Sequence, residues 1–412
     1  MKNFKILTVL FCLLIGAQSV QSQNIAQWRG ANRDGIYQEK NLLKAWPEAG
    51  PKLLWSTEVI GNGYSSPAVE GNQLFVNGEI DSVSQVFAFD LKGKLLWRSP
   101  NGKEFMGKDF SASFPGSRSV PTVYDDRVYA CSGMGRIACY EAASGKEKWG
   151  VDMIGELKGK MGFFGYSESL FVDEKNVYCF PGGAESNIVA LDKLTGKVVW
   201  TSKAMGDGVS FCSPIVVKFP QQNMLVTVSH EYLMGLDAKN GELLWSYKED
   251  SVKREGEYCN SPVYADGFIY GVSGVPKGRG AYKIAVSPDG KSVKEIWHNP
   301  KVLNKMGGFV KVNNKLFSTS ADHKLKGLDV NTGNVIDSLQ NLSGSVIYAD
   351  DHLYCYADNG NVNLIKGSGA KMEMVSKFKV DKGTKEHFAH PVISNGVLYI
   401  RHGNSLMAYE IK

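Results

Sequence analysis

Val189-Ala-Leu-Asp192-Lys-Leu-Thr195-Gly196-Lys-Val-Val-Trp200 and Met234-Gly-Leu-Asp237-Ala-Lys-Asn240-Gly241-Glu-Leu-Leu-Trp245 are two copies of one unit. Asp ends a short apolar strand and offers an acceptor to the turn amides, and the Gly that follows Thr or Asn tolerates positive φ. The chain then reverses into a second strand whose alternating residues end on a large aromatic. Weaker copies are Asp90-Leu-Lys-Gly93-Lys-Leu-Leu-Trp97 and Glu141-Ala-Ala-Ser144-Gly145-Lys-Glu-Lys-Trp149. A further copy, Leu328-Asp329-Val-Asn-Thr332-Gly333-Asn-Val-Ile-Asp337, keeps the turn and loses the tryptophan. Six tryptophans recur at Trp55, Trp97, Trp149, Trp200, Trp245 and Trp297, spaced 42, 52, 51, 45 and 52 residues apart.

Upstream of each unit lies another hairpin, as in Ser66-Pro-Ala-Val-Glu-Gly-Asn-Gln-Leu-Phe75 and Ser261-Pro-Val-Tyr-Ala-Asp-Gly-Phe-Ile-Tyr270. Two hairpins in series make a four-stranded antiparallel sheet, the blade of a β-propeller. Blades start at Tyr64, Ser117, Tyr166, Phe211, Tyr258, Met306, Gly344 and Phe388. The reading is therefore an all-β, eight-bladed propeller over residues 51–412. Seven blades stay open as an alternative, because the copy at 344–380 is degenerate. The last copy, from His390, supplies three strands and then the chain ends. Its missing strand lies near the other terminus, at about residues 51–57 around Trp55, so the two ends should pair and close the ring. Residues 23–50 read as an extension packing on the propeller. The tryptophans are expected to pack blade against blade.

Lys2 and Lys5, the apolar run Ile6 to Ile15 and the small or polar exit to Ser22 read as a signal peptide over residues 1–22. The run is too short to span a bilayer. A periplasmic or extracellular protein without a transmembrane helix is expected, and a monomer. The formal charge of +5 falls to +3 without Lys2 and Lys5, and no basic stripe is present, which argues against a nucleic-acid partner. The cysteines after Cys12 form no CxxC pair and read as small buried residues, although Cys131 and Cys139 flank a turn and could form a disulfide.

The repeat Ala190-Leu-Asp192-Lys-Leu-Thr195-Gly196-Lys-Val-Val-Trp200 resembles that of the pyrroloquinoline-quinone (PQQ) propeller family. That family includes quinoprotein alcohol dehydrogenases and the non-catalytic propeller lipoprotein of bacterial outer-membrane assembly. Gln27-Trp28-Arg29-Gly30-Ala-Asn32-Arg33-Asp34-Gly35, with Gly63-Tyr64-Ser65-Ser66-Pro67 and Gly165-Tyr166-Ser167-Glu168-Ser169, is similar to secreted bacterial PQQ-binding-like propeller proteins. In the family's enzymes the quinone lies between a tryptophan and adjacent disulfide-linked cysteines, beside a calcium ion held by Glu, Asn and Asp. The present chain has no Cys-Cys pair and no CxxCH haem motif.

In a propeller the first strand of each blade lines the central channel, and the strand starts crowd one mouth of it. The ligand-binding candidates there are Tyr64, Ser65, Arg118, Tyr166, Glu168, Asn260, His387 and His390. Loops between second and third strands add Glu185, His230, Glu231, Arg279, Asp322, His323 and His402, bringing five histidines to that end. His387-x-x-His390 is a poor metal pair, because spacing three on a strand puts the rings on opposite faces. No metal site and no catalytic residue is assigned. Asp125-Asp126 and Asp350-Asp351 read as turn formers. The expected function is a binding or scaffold module that takes a small molecule, glycan or peptide at the channel mouth. The alternative is a PQQ- and calcium-dependent alcohol oxidoreductase, with Glu168 and Asn260 around the cation and Arg118 on a quinone carboxylate.

Overall fold

The structure is a computed structural model that describes residues 25–249, 259–274 and 278–412. The signal peptide expected at 1–22 and the blade start at Tyr258 lie outside the described residues. Eight antiparallel sheets, each with four strands of the repeat, form the eight blades. The third blade shows how the repeat folds, with strands Phe171–Val172, Asn176–Cys179, Ile188–Asp192 and Val198–Ser202. Asp192 Oδ1 accepts from the amides of Leu194 and Thr195 at 3.1 and 2.9 Å and from the Thr195 hydroxyl at 2.7 Å. Gly196 then turns the chain at φ 71°.

The same turn locks neighbouring blades together. The Trp149 indole donates to the Lys193 carbonyl of the next blade at 3.0 Å. A Cβ on Gly196 would stand 2.7 Å from that ring, so the glycine also makes room for the tryptophan. Trp55, Trp97, Trp200 and Trp297 donate in the same way to Leu91, Ala142, Ala238 and Val330. Trp245 differs and meets the Met224 sulfur of its own blade. Nearer the axis a chain of serines links blades: Val120 N donates to Ser169 Oγ, Ser169 N to Ser213 Oγ, and Ser213 N to Ser261 Oγ, at 2.7 to 3.0 Å.

The ring closes where the repeat count requires it. Leu53–Thr57 pairs with Ser405–Glu410 as the outer strand of the eighth blade, with Trp55 opposite Ala408. Arg401, fully buried in that blade, crosses the seam and donates to the carbonyls of Ser65, Asn77 and Gly61 in and before the first blade.

The extension packs on the inner strands of the propeller. Ile25–Ala26 pairs with the innermost strand of the second blade, and Ile36–Tyr37 with that of the seventh. The segment between them therefore crosses the channel and plugs its lower part. Arg33 donates to the carbonyls of Ser169, Leu170 and Pro214, and Arg29 to those of Phe309, Asp34 and Val346. Burial pushes the two guanidinium groups down, to about 9 and about 10. The candidate Cys131–Cys139 disulfide is not formed. Cys131 stands opposite Ile137 and Cys139 opposite Tyr129, which places the thiols diagonally, and both are free.

Candidate functional site: an aromatic cup at the channel mouth

Above the plug the channel opens as a cup of about 320 Å³, within the size range of small-ligand sites. Its wall comes from the residue two positions before the first strand of successive blades. Ser66, Val120, Ser213 and His390 each precede a proline, and Ser169 takes the same place before Leu170. Proline forces the preceding residue into an extended conformation, so these side chains reach the channel at equivalent heights. Trp28 of the plug forms the floor, its ring edge-on to His390 at 5.3 Å.

The rim is aromatic and comes from connections between blades. Phe110 lies on the short 3-10 helix Asp109–Ser113. It packs on Phe114 at 5.4 Å, and Phe114 packs on Phe164 at 6.1 Å. Phe164 meets Phe211 at 5.9 Å, and Phe388 lies 5.3 Å from Tyr64. Edge-to-face geometry dominates these pairs, as the ring quadrupole favours.

Three of the expected residues line this cup: Tyr64, Arg118 and His390. The Tyr64 hydroxyl donates to Glu386 at 2.8 Å. The Arg118 guanidinium lies 5.5 Å from the Phe105 ring and 6.0 Å from those of Tyr64 and Phe164. Its hydrogen bonds go to the carbonyls of Phe114 and Gly116. Arg127, Arg136 and Arg279 each have a carboxylate within 4.0 Å, whereas Arg118 has none among the described residues. Burial pushes its pKa down. Lys305 adds a second cation at the rim. His390 Nδ1 accepts from Arg29 at 3.3 Å, and burial together with that cation holds the ring neutral.

The other candidates point elsewhere, and the pleat explains most of it. Successive residues of an extended chain face opposite ways, so Ser66 lines the cup and Ser65 does not. The Ser65 carbonyl instead accepts from Arg401 at 3.2 Å. Ser167 and Ser169 line the cup, while Glu168 between them points into the protein and accepts from Phe180 N at 2.7 Å. Burial raises Glu168 to about 7. Asn260 is fully engaged with Val272, Asn304 and Gly308, and Cys259 beside it takes the cup position. Tyr166 donates to the Pro181 carbonyl. His387 stacks on His402 beside the cup, while His230 and His323 lie near Asp207 and Asp358 in outer loops. Sequence reasoning missed Trp28 and the phenylalanine rim. The usable signal was the residue before each repeat proline and the long connections 104–121 and 153–170.

Fold and cup together define an eight-bladed propeller with a plugged channel and one aromatic mouth. The chain belongs to the PQQ-like propeller family whose model, described as outer membrane protein assembly factor BamB, matches residues 82–339. It is 27% identical to that factor from Kangiella koreensis over 175 residues, 41% of this chain and 38% of the relative. It is 24% identical to a tetrathionate hydrolase from Acidithiobacillus ferrooxidans over 59% of this chain and 48% of the relative. The matches thus span under half the length of these curated relatives. Among solved structures, BamB from Moraxella catarrhalis superposes with a TM-score of 0.62 at 12% identity, covering 88% of this chain and 98% of that one. Quinohemoprotein alcohol dehydrogenase ADHIIG from Pseudomonas putida HK5 gives 0.67 at 12% identity, covering 94% and 80%.

The quinone–calcium pair of such dehydrogenases can be tested against the side chains. Calcium needs several oxygen ligands, commonly carboxylates. Among the described residues no carboxylate lines the cup, and Glu168 and Asn260 are bonded to backbone away from it. The donor set does not fit a calcium-held quinone at this mouth.

Proposed function

We propose that this chain is an exported binding module whose channel mouth takes an aromatic or apolar molecule bearing a carboxylate. The observation that carries this is Arg118: a guanidinium half-buried among aromatic rings, without a carboxylate partner among the described residues. A cation in such surroundings gains most from an incoming anion. Its planar group presents five N–H donors, of which the two bonds to carbonyls use only part. The rings supply apolar contact for the rest of the ligand. Export to the periplasm or beyond is supported by the leader pattern at 1–22 and by the family's outer-membrane assembly factors. A scaffold role toward a protein partner has one observation in its favour. Phe110 and Phe163 at the rim are 66% and 51% exposed, the kind of apolar patch that partners cover.

The test uses 2-naphthoate and 2-naphthamide, which share a ring system and differ in charge, with isothermal titration calorimetry as the readout. The carboxylate should bind about tenfold more tightly than the amide, a difference of about 1.4 kcal/mol. Arg118→Gln should abolish that preference while leaving the amide affinity unchanged. Equal affinity of the two probes in the native protein would remove the anion from the reading, and failure of both to bind would remove the cup.

A further inference from the structure

His402 ends the strand Val397–His402 of the eighth blade, just outside the cup. Its Nδ1 lies 2.6 Å from the Lys382 carbonyl and its Nε2 2.7 Å from the Lys385 carbonyl. A carbonyl oxygen only accepts, so both ring nitrogens must donate. A neutral imidazole has one N–H, and its other nitrogen would present a lone pair to a carbonyl lone pair at under 3 Å. Only the imidazolium satisfies both contacts.

The segment held in this way builds part of the cup. Residues 382–385 lead directly into Glu386, which accepts from Tyr64 at 2.8 Å, and Phe388, which lines the cup and lies 6.3 Å from Phe114. We propose that His402, as an imidazolium, is a positioning residue that straps the Lys382–Phe388 segment against the cup, so that binding strengthens on acidification. This rests on the cup being a binding site.

The surrounding charges are those of the strap and the two adjoining blades. Lys382, Lys385 and Glu386 belong to the strapped segment itself, and Asp381 immediately precedes it. The seventh blade brings Asp358 and Lys379 near His387, and Tyr356 hydroxyl lies 2.5 Å from His387 Nδ1. Arg401, adjacent in sequence, points inward to the carbonyls of Gly61 and Ser65. The His402 proton is thus held by carbonyls and not by a carboxylate. His387 stacks on it at 3.7 Å. Burial first, and the His402 charge second, push His387 down to about 4 and keep it neutral through the working range.

The test measures 2-naphthamide affinity with the full chain at about pH 5.5 and about pH 8. The uncharged probe keeps ligand ionisation and the Arg118 attraction out of the comparison. Affinity should be about tenfold higher at the lower pH, a coupling of ordinary size. In a Glu168→Gln background, since that carboxyl changes charge in the same interval, His402→Gln should give a flat profile, and His387→Phe should keep the slope. A flat native profile, or a slope retained in His402→Gln, overturns the proposal. If neither naphthyl probe binds, the cup reading falls by itself. The strap is then judged by the ring nitrogen shifts of His402: at about pH 6 two protonated nitrogens support it, and a neutral ring overturns it.

Discussion

The lower and upper halves of the central channel share the same inner strands and are filled in opposite ways. Below, Arg33 is fully buried and donates to three carbonyls just ahead of the inner strands of the third and fourth blades and to the Gln27 side chain. Above, Arg118 is ringed by aromatic faces and donates to two carbonyls of its own connection. One arginine completes the protein and the other is left for something else to complete. The difference comes from the plug, which brings guanidinium donors to the carbonyls just before the inner strands.

That contrast can be broken most directly at its structural side. Arg33→Ala should cost more than about 3 kcal/mol in chemical denaturation, because each carbonyl left dry costs roughly 1–3 kcal/mol. Arg118→Gln should move the same midpoint by less than about 1 kcal/mol. Equal losses would make Arg118 another structural bolt and remove the basis for a ligand there.

Glu168 gives the next effect, of order 3 kcal/mol for a shift from an ordinary carboxyl near 4.5 to about 7. The folded state holds this proton more tightly than the unfolded chain. The stability it contributes is therefore complete below about pH 4.5 and is lost as pH rises to about 7. Glu168→Gln should flatten that part of the stability profile. A profile unchanged by the substitution would mean that Arg33 nearby holds the carboxylate ionised.

The smallest effect sharpens the account of the seams. Trp149→Phe loses the bond to Lys193 and should cost about 1 kcal/mol beyond its lost area. Trp245→Phe, whose indole meets only a sulfur of its own blade, should lose less. Comparing the two in urea denaturation separates the inter-blade bond from ring packing.

The propeller was legible because its information is local and repeated. The Asp-x-x-Thr-Gly turn fixes a hairpin wherever it occurs, and Trp55 predicted the strand that closes the ring. The site was legible in part. Position along the strand could be read, and Tyr64, Arg118 and His390 do line the cup. The phase of alternation could not, and a shift of one residue put Ser65 for Ser66, Glu168 for its serine neighbours and Asn260 for Cys259. The proline after Ser66, Val120, Ser213 and His390 held that phase.

The sequence by itself determined the repeat and the seam, since turn chemistry and alternation act within a few residues. Only the tertiary structure decided what fills the channel. Trp28 and Arg33 lie far in sequence from the strands they meet, and Phe110, Phe164 and Phe388 sit on connections without periodicity. Their convergence on one mouth follows from ring closure, which places distant blades side by side and appears in no single repeat.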